Sequence, residues 1–393
     1  MNRKSDSAFI AVFKREILRM VSRRLYYGAT IILPLFSLLF MATIFNNGQM
    51  ENIPVGVVDM DQTATSRAIV RNVDAVPIIS ITRRFSNQAE AREATQRKDI
   101  YGYLVIPENF ENRMYDGKYT TLNYYYHYAL LSVGGEVLTA FENVLEPIAV
   151  SPIVMKGSSL GMTDDQISSF LMPFESLSHP LFNPDLDYSV YLSNPFFFIF
   201  LQILILLTSI YIVGVEITQG TAPQWLDTAK GNMMIGILGK FLPYTLIFCV
   251  IAVFANYIMF GPLELPFAGN LWGLILSSLL LVLASQALGL FVFCIYPNLG
   301  LTISIVSMIG SLGATLSGVT FPTPSMHPIV HYCSYLFPIR HYVLINQNIL
   351  YGNFGFAYAW YNYVILLAFL IPPMFLLSRL KKTIISRRYE ESR

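Results

Sequence analysis

Six long runs of apolar residues constrain this chain more than any other feature of its sequence. None of them contains Asp, Glu, Lys, Arg or His, and each approaches the ~20 residues that a helix needs to cross ~30 Å of hydrocarbon. Because a backbone inside lipid must satisfy its polar groups within its own segment, we expect each run to form a helix. The runs cover residues 28–45, 196–213, 241–260, 271–296, 299–319 and 359–378.

The composition of the chain agrees with this expectation. Charged residues make up 13% of the sequence and hydrophobic residues 54%, whereas a soluble domain has about 25% charged residues. The net charge is only +1, which gives no indication of nucleic-acid binding. The sequence therefore predicts an α-helical polytopic membrane protein with six transmembrane helices.

The distribution of charge predicts how the chain is oriented in the membrane. Residues 1–27 hold seven Lys/Arg against two acidic residues, and residues 379–393 hold six against two. Residues 46–193 instead hold ten Lys/Arg against eighteen Asp/Glu. Because Lys and Arg near membrane ends stay in the cytoplasm, both termini, including a basic tail at 381–393, are predicted to lie inside. Residues 46–193 then lie outside.

Residues 1–27 carry the pattern of an amphipathic helix that precedes the first transmembrane helix at 28–45. Arg15, Glu16, Arg19 and Arg23 share one helical face. This pattern predicts a cytoplasmic helix lying along the membrane surface. A plain basic tail that only sets the orientation is the alternative. The opposite face carries Phe9, Ile10, Phe13, Ile17, Met20 and Val21.

The segment 46–193 is long enough for one globular domain. Strand-like stretches alternate in it with helix-like ones, which predicts an inserted extracytoplasmic α/β domain. Two further helices are expected at 132–149 and 163–172. The predicted strands are 53–61, 76–85, 101–107 and 120–128, and the predicted helices between them are 65–73, 86–99 and 108–118.

One motif in this domain has two interpretations. Asp59 and Asp61 precede Thr63 at the end of a predicted strand, and two carboxylates so spaced can hold Mg²⁺ while one attacks phosphorus. The same residues are also typical of an Asx turn followed by a helix cap. We favour the turn and cap, because the motif is short and lies in the extracytoplasmic segment.

The sequence contains no recognisable source of energy. No ionisable residue lies within the six runs, which argues against a proton-coupled pump or a hydrolase inside the membrane. No phosphate-binding loop of the form G-x-x-x-x-G-K-[ST] occurs either. His327 and His331 are four residues apart, but Pro328 separates them and no acidic ligand is near, so we predict no metal site there.

Several spaced motifs together resemble a known family. Glu216-x-x-x-Gly220-Thr221 precedes Gly239-Lys240, and Ser317-Gly318 precedes Phe321-Pro322, Pro328 and Pro338. In the inserted domain, VDMDQT and YLVIPENF match the family pattern as well. The chain resembles the permease subunit of an ABC-2 type exporter, in the subgroup with a large extracytoplasmic domain between the first two transmembrane helices.

The resemblance implies two functional regions within residues 194–380, which carry transmembrane helices 2–6. A cytoplasmic loop at 214–240 would couple the permease to an ATPase through Glu216, Gly220, Thr221, Trp225 and Lys240. A re-entrant segment at 320–352 would form the outer gate. Its expected residues, with those just before it, are Ser317, Gly318, Phe321, Pro322, Pro328 and Pro338.

The resemblance also implies partners and a location. The chain would be a subunit of a transporter rather than an enzyme, in the bacterial cytoplasmic (inner) membrane. ATP and Mg²⁺ would bind to separate cytoplasmic ATPase subunits, with no cofactor on this chain. We expect a homodimer or a heterodimer with a related permease, contacts with membrane lipid, and in some systems a periplasmic adaptor protein. The substrate would be amphipathic, drug-like or lipid-like, and would move outward.

Two other functions fit parts of the sequence. A membrane-anchored receptor or sensor would use the inserted domain to bind a ligand, and no ATPase would accompany it. A polytopic lipid-modifying enzyme would need acid and base residues at membrane depth, and the six runs contain none.

Overall fold

The computed structural model describes residues 7–44, 48, 50–116, 118, 120–159, 161, 163, 183, 187–267, 269–352 and 356–390. The chain forms two compact units. One consists of residues 1–46 and 187–393, and the other of residues 47–186. We call them the helical unit and the inserted unit.

Two helices form the N-terminal part of the helical unit. Helix α1 (Ala8–Ser22) begins where the Ser7 side chain accepts a hydrogen bond from the backbone of Ile10. Helix α2 (Arg24–Ile44) follows, and a π-helical turn lies at Gly28–Ile32. Against the predicted polarity, α1 buries Glu16 together with Ala8 and Val12. Glu16, on the charged face of the predicted helix, is therefore turned into the helical unit, where buried partners neutralise its carboxylate.

The inserted unit has the predicted α/β order, which is confirmed. Strands β1 (Ile53–Asp59), β2 (Ile79–Arg84) and β3 (Gly102–Ile106) are parallel. Strand β4 (Asn123–Tyr126) pairs antiparallel with β3, which gives the sheet order β2-β1-β3-β4. The predicted helix at 163–172 lies outside the described residues. The helices of this unit are α3 (Ala64–Asp74), α4 (Gln88–Gln96), α5 (Phe110–Tyr115) and α6 (Leu131–Ser159).

The sheet of the inserted unit has an apolar core on each face. Val55 and Val57 of β1 point to the face covered by α3 and α6. Val58 of β1 and Val105 of β3 point to the opposite face, against Ala91 of α4. Because alternate residues of a strand face opposite sides, a β1 covered on both sides reads as a continuous apolar run.

The Asp59 and Asp61 side chains accept hydrogen bonds that hold the end of β1. Asp59 Oδ1 accepts hydrogen bonds from the backbone nitrogens of Asp61 at 3.1 Å and Gln62 at 2.9 Å. Asp61 accepts from the backbone nitrogens of Phe110 at 2.8 Å and Glu111 at 3.1 Å. These contacts form a turn and cap the start of α5. They support the turn-and-cap interpretation over the phosphoryl-transfer one.

The rest of the helical unit consists of helices. Six helices among the described residues are long and apolar enough to cross a membrane: Arg24–Ile44, Ser189–Thr218, Met233–Phe260, Leu271–Ile295, Leu299–Leu316 and Tyr358–Ser386. The predicted polytopic α-helical class is confirmed. The helices after α6 are α7 (Ser189–Thr218), α8 (Ala222–Thr228), α9 (Met233–Phe260), α10 (Leu271–Ile295), α11 (Leu299–Leu316), α12 (Pro328–Ser334), α13 (Pro338–Gln347), α14 (Phe356–Ala368) and α15 (Ile371–Glu390).

Two of these helices are longer than the apolar runs that predict them. Helix α7 continues to Thr218 and α9 begins at Met233. Only residues 219–232 therefore separate them, in place of the predicted loop at 214–240. Glu216 and Lys240 lie inside these helices. Each pairs with an opposite charge, and this attraction offsets the free-energy cost of removing a charged group from water.

Helix α7 lies at the centre of the unit and packs against α10 and α11. The last membrane-spanning segment is interrupted, since α14 ends at Ala368 and α15 begins at Ile371. Pro372 and Pro373 follow at once. Proline lacks an N–H donor and disfavours a helical residue before it, so the interruption falls where the sequence requires it.

The capping role of Asp61 leads to a stability prediction for the inserted unit. Replacing Asp61 with Ala removes the acceptor for two backbone N–H groups of α5, and hydrogen bonds to charged groups contribute ~1.5–3 kcal/mol each. We expect Asp61→Ala to lower the local opening free energy of the β1 and β3 amides by about 2–4 kcal/mol. Hydrogen exchange followed by mass spectrometry on the full chain measures this quantity.

The control is Asp116→Ala. The Asp116 carboxylate pairs with Lys118 at the surface and is 57% exposed, so its loss should change the opening free energy by less than about 1 kcal/mol. Equal protection of β1 and β3 in the Asp61 and Asp116 variants would contradict the capping role.

Candidate functional site

A buried group of charged side chains lies where helices α1, α7, α8 and α9 meet. Glu16 of α1, Glu216 of α7 and Lys240 of α9 are all fully buried. Arg15 and Arg19 of α1 join them at the edge. We call these five residues the charge cluster. Because the effective cost of burying an ion is several kcal/mol, its partners decide whether such a site is stable.

Lys240 bridges the two carboxylates. Its Nζ lies 2.6 Å from Glu16 Oε2 and 2.8 Å from Glu216 Oε1. The other oxygen of Glu16 accepts a 2.9 Å hydrogen bond from the hydroxyl of Tyr244, one turn along α9. The Lys240 ammonium also lies 5.1 Å from the ring centroid of Trp225. Lys240 thus joins α1, α7, α8 and α9 through one cation.

Glu216 is the most connected member of the charge cluster. Arg15 donates to it through both terminal nitrogens, at 2.7 Å to Oε1 and 3.0 Å to Oε2. This bidentate geometry is the strongest that a carboxylate and a guanidinium form. Arg19 makes an ion pair with Glu216, and the Thr221 hydroxyl donates to it. One carboxylate of α7 therefore accepts from α1, from α9 and from the residue before α8.

The charge cluster contains one more cation than anion. Among the described residues, Arg15, Arg19 and Lys240 face two carboxylates, Glu16 and Glu216. Burial lowers the pKa of Arg19, but the neighbouring Glu216 carboxylate more than offsets this and raises that pKa above its ordinary value. The Arg19 guanidinium therefore stays charged throughout the physiological range of pH.

The spacing Glu216-x-x-x-Gly220-Thr221 has a geometric cause. The N–H of Thr221 donates to the carbonyl of Glu216 at 2.9 Å, and the N–H of Gly220 donates to the carbonyl of Ile217 at 3.3 Å. These two bonds form a Schellman motif at the end of α7, with Gly220 at φ +68°. The motif turns the chain back, so that the Thr221 hydroxyl reaches the carboxylate of Glu216.

Gly239 and Trp225 fix the helices around the charge cluster. A Cβ atom on Gly239 would lie 3.0 Å from Val12 Cβ and 3.1 Å from the carbonyl oxygen of Phe9. Helix α1 therefore packs directly on α9, one residue before Lys240. The indole of Trp225 is fully buried, and its Nε1 donates to the carbonyl of Gly236 at 3.2 Å. This bond ties α8 to the first turn of α9.

The structure brings together all five residues that the sequence suggested for coupling, namely Glu216, Gly220, Thr221, Trp225 and Lys240. Sequence reasoning missed the contribution of α1. The available signal was the spacing of Ala8, Val12 and Glu16, which places a glutamate on the same helical stripe as two small apolar residues. Tyr244 was also missed, because a tyrosine inside an apolar run carries no distinguishing pattern.

The second predicted group lies between α11 and α13. Arg340 of α13 is only 5% exposed, and its Nη1 donates to the carbonyl of Ser317 at 3.0 Å. Its Nη2 donates to the hydroxyl of Thr323. Gly318 has φ +92°, and a Cβ atom there would collide with the Arg340 guanidinium. Arg340 thus closes the turn that follows α11.

The remaining residues of this second group have separate positions. Pro328 and Pro338 occupy the first positions of α12 and α13, where proline is favoured. The structure therefore has two short helices that begin at prolines, rather than one helix broken by them. Phe321 is 50% exposed, and Pro322 is exposed before a short 3-10 turn at Thr323–Ser325. Whether the segment re-enters the membrane remains a prediction.

A buried set of amide and hydroxyl side chains, not anticipated from the sequence, joins α13 to the bundle. Asn194 of α7 accepts from the Tyr342 hydroxyl at 3.0 Å and from Asn346 Nδ2 at 2.9 Å. Asn256 of α9 donates to the Ser278 hydroxyl of α10 at 2.8 Å. We call these five residues the amide cluster. It contains no charged side chain.

No cluster of metal-ligating side chains emerges from the part of the chain that the structure describes. In those ranges no three His, Cys, Asp or Glu side chains are grouped so as to hold a metal ion. Glu16 and Glu216 are both engaged by Lys240. The charge cluster connects helices through ion pairs and hydrogen bonds.

Comparison with known proteins gives consistent matches over most of the chain. Residues 26–377 match the family described as ABC-2 family transporter protein. The chain is 24% identical over 346 residues to the inner membrane transport permease YhhJ of Escherichia coli (strain K12), which covers 82% of this chain and 83% of that protein. The same values hold for YhhJ of Shigella flexneri. The family match includes Glu216 and Lys240 but begins after Arg15, Glu16 and Arg19.

Lys240 pairs with both Glu16 and Glu216, which predicts strong energetic coupling between these buried charges. Lys240→Met leaves two buried carboxylates without their ammonium partner, and we expect a loss of about 3–5 kcal/mol in the free energy of unfolding. In a double-mutant cycle with Glu16→Gln, the two losses should fall short of additivity by about 1–3 kcal/mol. Denaturant titration of the detergent-purified chain measures all four free energies.

Lys118→Met is the matched control. Lys118 is 69% exposed and pairs with Asp116 at the surface, so its replacement should cost less than about 1 kcal/mol. Strict additivity of the Lys240 and Glu16 substitutions would show that these two side chains do not interact.

The turn after α11 gives a separate prediction. Gly318→Ala places a methyl group at a left-handed position and against the Arg340 guanidinium. We therefore expect it to lower the free energy of unfolding by at least about 1 kcal/mol. Gly300→Ala on α11 is the control, because the nearest atom to a Cβ there is Asn298 Oδ1 at an ordinary 3.7 Å. Thermal unfolding of the two purified variants distinguishes them, and equal midpoints would contradict the role of the turn.

Proposed function

Since the chain belongs to the ABC-2 family of transporter proteins, we propose that it is the permease subunit of an exporter driven by a separate ATPase. The similarity to inner membrane transport permeases and the six apolar helices identify it as a multi-pass inner membrane protein. The sequence has no phosphate-binding loop of its own. ATP and Mg²⁺ would therefore bind to cytoplasmic ATPase subunits.

The observation that carries the proposal is the set of partners of Glu216. Its carboxylate holds α1 and α9 and contacts the residue before α8. Helix α8 exposes Gln224 and Asp227 on its outer face. An ATPase that binds this face would move α8, and the charge cluster would transmit the displacement to three other helices as a rigid connection.

The outward direction and the orientation rest on charge and on the turn after α11. The basic termini favour a cytoplasmic location of both chain ends and of α8. The Arg340-closed turn then lies at the outer ends of α11 and α13, where it acts as the outer gate. Rocking of the helices would shift the pathway between inward-facing and outward-facing states, and ATP binding would favour one of them.

Helix α11 supplies a surface for pairing with a second permease. Ser304, Ser307, Ser311 and Thr315 are exposed along its outer side. Small side chains let helix backbones approach closely in a membrane, where packing and hydrogen bonds drive association. Two copies, or one copy and a related permease, would then enclose a pathway for an amphipathic substrate that is drug-like or lipid-like.

A second candidate function is favoured by one feature of the inserted unit. A cavity of about 530 Å³ there is lined by Phe110, Leu122, Tyr124, Glu142 and Leu145. This volume suits a drug-sized ligand. A membrane-anchored receptor would bind its ligand here and need no ATPase, whereas a transporter would use the inserted unit for substrate or for a periplasmic adaptor protein.

Purification of the full chain from its native membranes in a mild detergent tests the proposal. We expect a stoichiometric ATPase with a phosphate-binding loop to co-purify, and a substrate to stimulate its hydrolysis of ATP. Glu216→Ala should reduce this stimulation to near the basal rate, because the link between α8 and the other helices is lost. The rate of phosphate release measures the effect.

Two further variants separate loss of coupling from loss of folding. Gln224→Trp adds bulk only on the exposed face of α8, so it should weaken co-purification of the ATPase without lowering the unfolding temperature. Glu93→Ala alters a 59% exposed carboxylate of the inserted unit and should change nothing. Absence of any co-purifying ATPase would favour the receptor.

A further inference from the structure

A groove of about 220 Å³ lies between α9, α10 and α15. Twelve of its fourteen lining residues are apolar, and the two polar ones are Thr245 and Gln286. All three helices belong to segments long and apolar enough to span a membrane, so the groove opens toward hydrocarbon. We propose that it binds an uncharged, lipid-soluble molecule that carries a hydrogen-bond acceptor, and that Gln286 recognises this acceptor.

Gln286 is the reason to expect a ligand rather than bare lipid. The side chain lines the groove, and the residue is only 5% exposed. Its Oε1 accepts a 2.7 Å hydrogen bond from the Thr245 hydroxyl. Its Nε2 has no partner among the residues that the structure describes. An unsatisfied amide N–H in an apolar setting costs several kcal/mol, which an acceptor on a bound molecule would offset.

The lining determines the chemical class of the ligand. None of the described residues that line the groove is ionisable, so a charged ligand would lose its hydration without gaining a partner. Ile237, Phe241, Leu283 and Leu290 provide apolar walls, and aromatic or aliphatic rings are the groups that such walls bind. One acceptor, such as a carbonyl oxygen, satisfies Gln286.

The interruption between α14 and α15 forms one side of the groove. Leu370 lies in the interruption and Pro373 in the first turn of α15, and both line the groove. Phe241, on the opposite wall, directly follows Lys240. A bound molecule would thus touch the turn of α9 that carries the bridging cation of the charge cluster.

Benzophenone is a suitable probe because it is uncharged, has a single carbonyl acceptor and crosslinks to nearby C–H bonds on illumination. The full chain in lipid nanodiscs is labelled, and modified peptides are identified by mass spectrometry. Met374 lines the groove and is 54% exposed, whereas Met308 on α11 lies outside it and is 57% exposed. We expect Met374 to be labelled well above Met308, although their exposures are nearly equal.

Substitutions and a competitor test the role of the amide. Gln286→Leu should lower labelling of Met374 by about threefold to tenfold, the range that one hydrogen bond supports. Gln202→Leu, an equivalent change on α7 outside the groove, should leave it unchanged. Excess diphenylmethane, which has the same rings without the carbonyl, should compete poorly. Ala287→Leu narrows the groove without touching the amide and should also lower labelling.

Three results would overturn the proposal. Equal labelling of Met374 and Met308 in the unaltered chain would mean that ordinary acyl chains fill the groove. Labelling that Gln286→Leu leaves unchanged, or that diphenylmethane removes completely, would mean that shape alone decides binding. If Gln286→Leu does not fold, Ala287→Leu and the competitor still give a decisive answer. No step requires an ATPase, so the outcome is independent of the proposed function.

Discussion

The buried ion pairs of Glu216 are the interaction on which the helical unit depends. Without them, a carboxylate and an ammonium would each remain inside an apolar bundle at a cost of several kcal/mol. With them, α7 and α9 run past the ends of their apolar segments, and α1 docks on α9 through Glu16 and the bare backbone of Gly239. The position of α8 follows, because the Schellman turn and Trp225 hold it against the same charges.

The two ends of the bundle are held by different chemistry. The charge cluster uses full charges at short distances, and such pairs lose much of their attraction when water enters. The amide cluster around Asn194 and Tyr342 uses neutral hydrogen bonds, which exchange partners at lower cost. The first arrangement suits a rigid connection between helices. The second holds α13 to α7 through neutral side chains.

Much of the fold could be predicted from the sequence, because a chain inside lipid has few solutions. Uninterrupted apolar runs require helices, and alternating apolar strands with capped helices require a layered α/β unit. The helix ends could not be predicted, because an apolar run ends at the first charged residue. The hydropathy pattern does not show that Lys240 pairs with Glu216, 24 residues away in the sequence. The burial of Glu16 on α1 could not be predicted for the same reason. Glu16 meets its partner 224 residues later.

The Schellman turn after α7 has a consequence for how this segment tolerates change. Glu216 is three residues before the cap residue, and the glycine that follows the cap sets where the helix stops. One residue added or removed between them would rotate the carboxylate by about 100° around the helix axis, away from Arg15 and Lys240. The number of residues between Glu216 and Gly220 is therefore fixed by the position that the carboxylate must reach, whatever each of those side chains contributes by its own contacts.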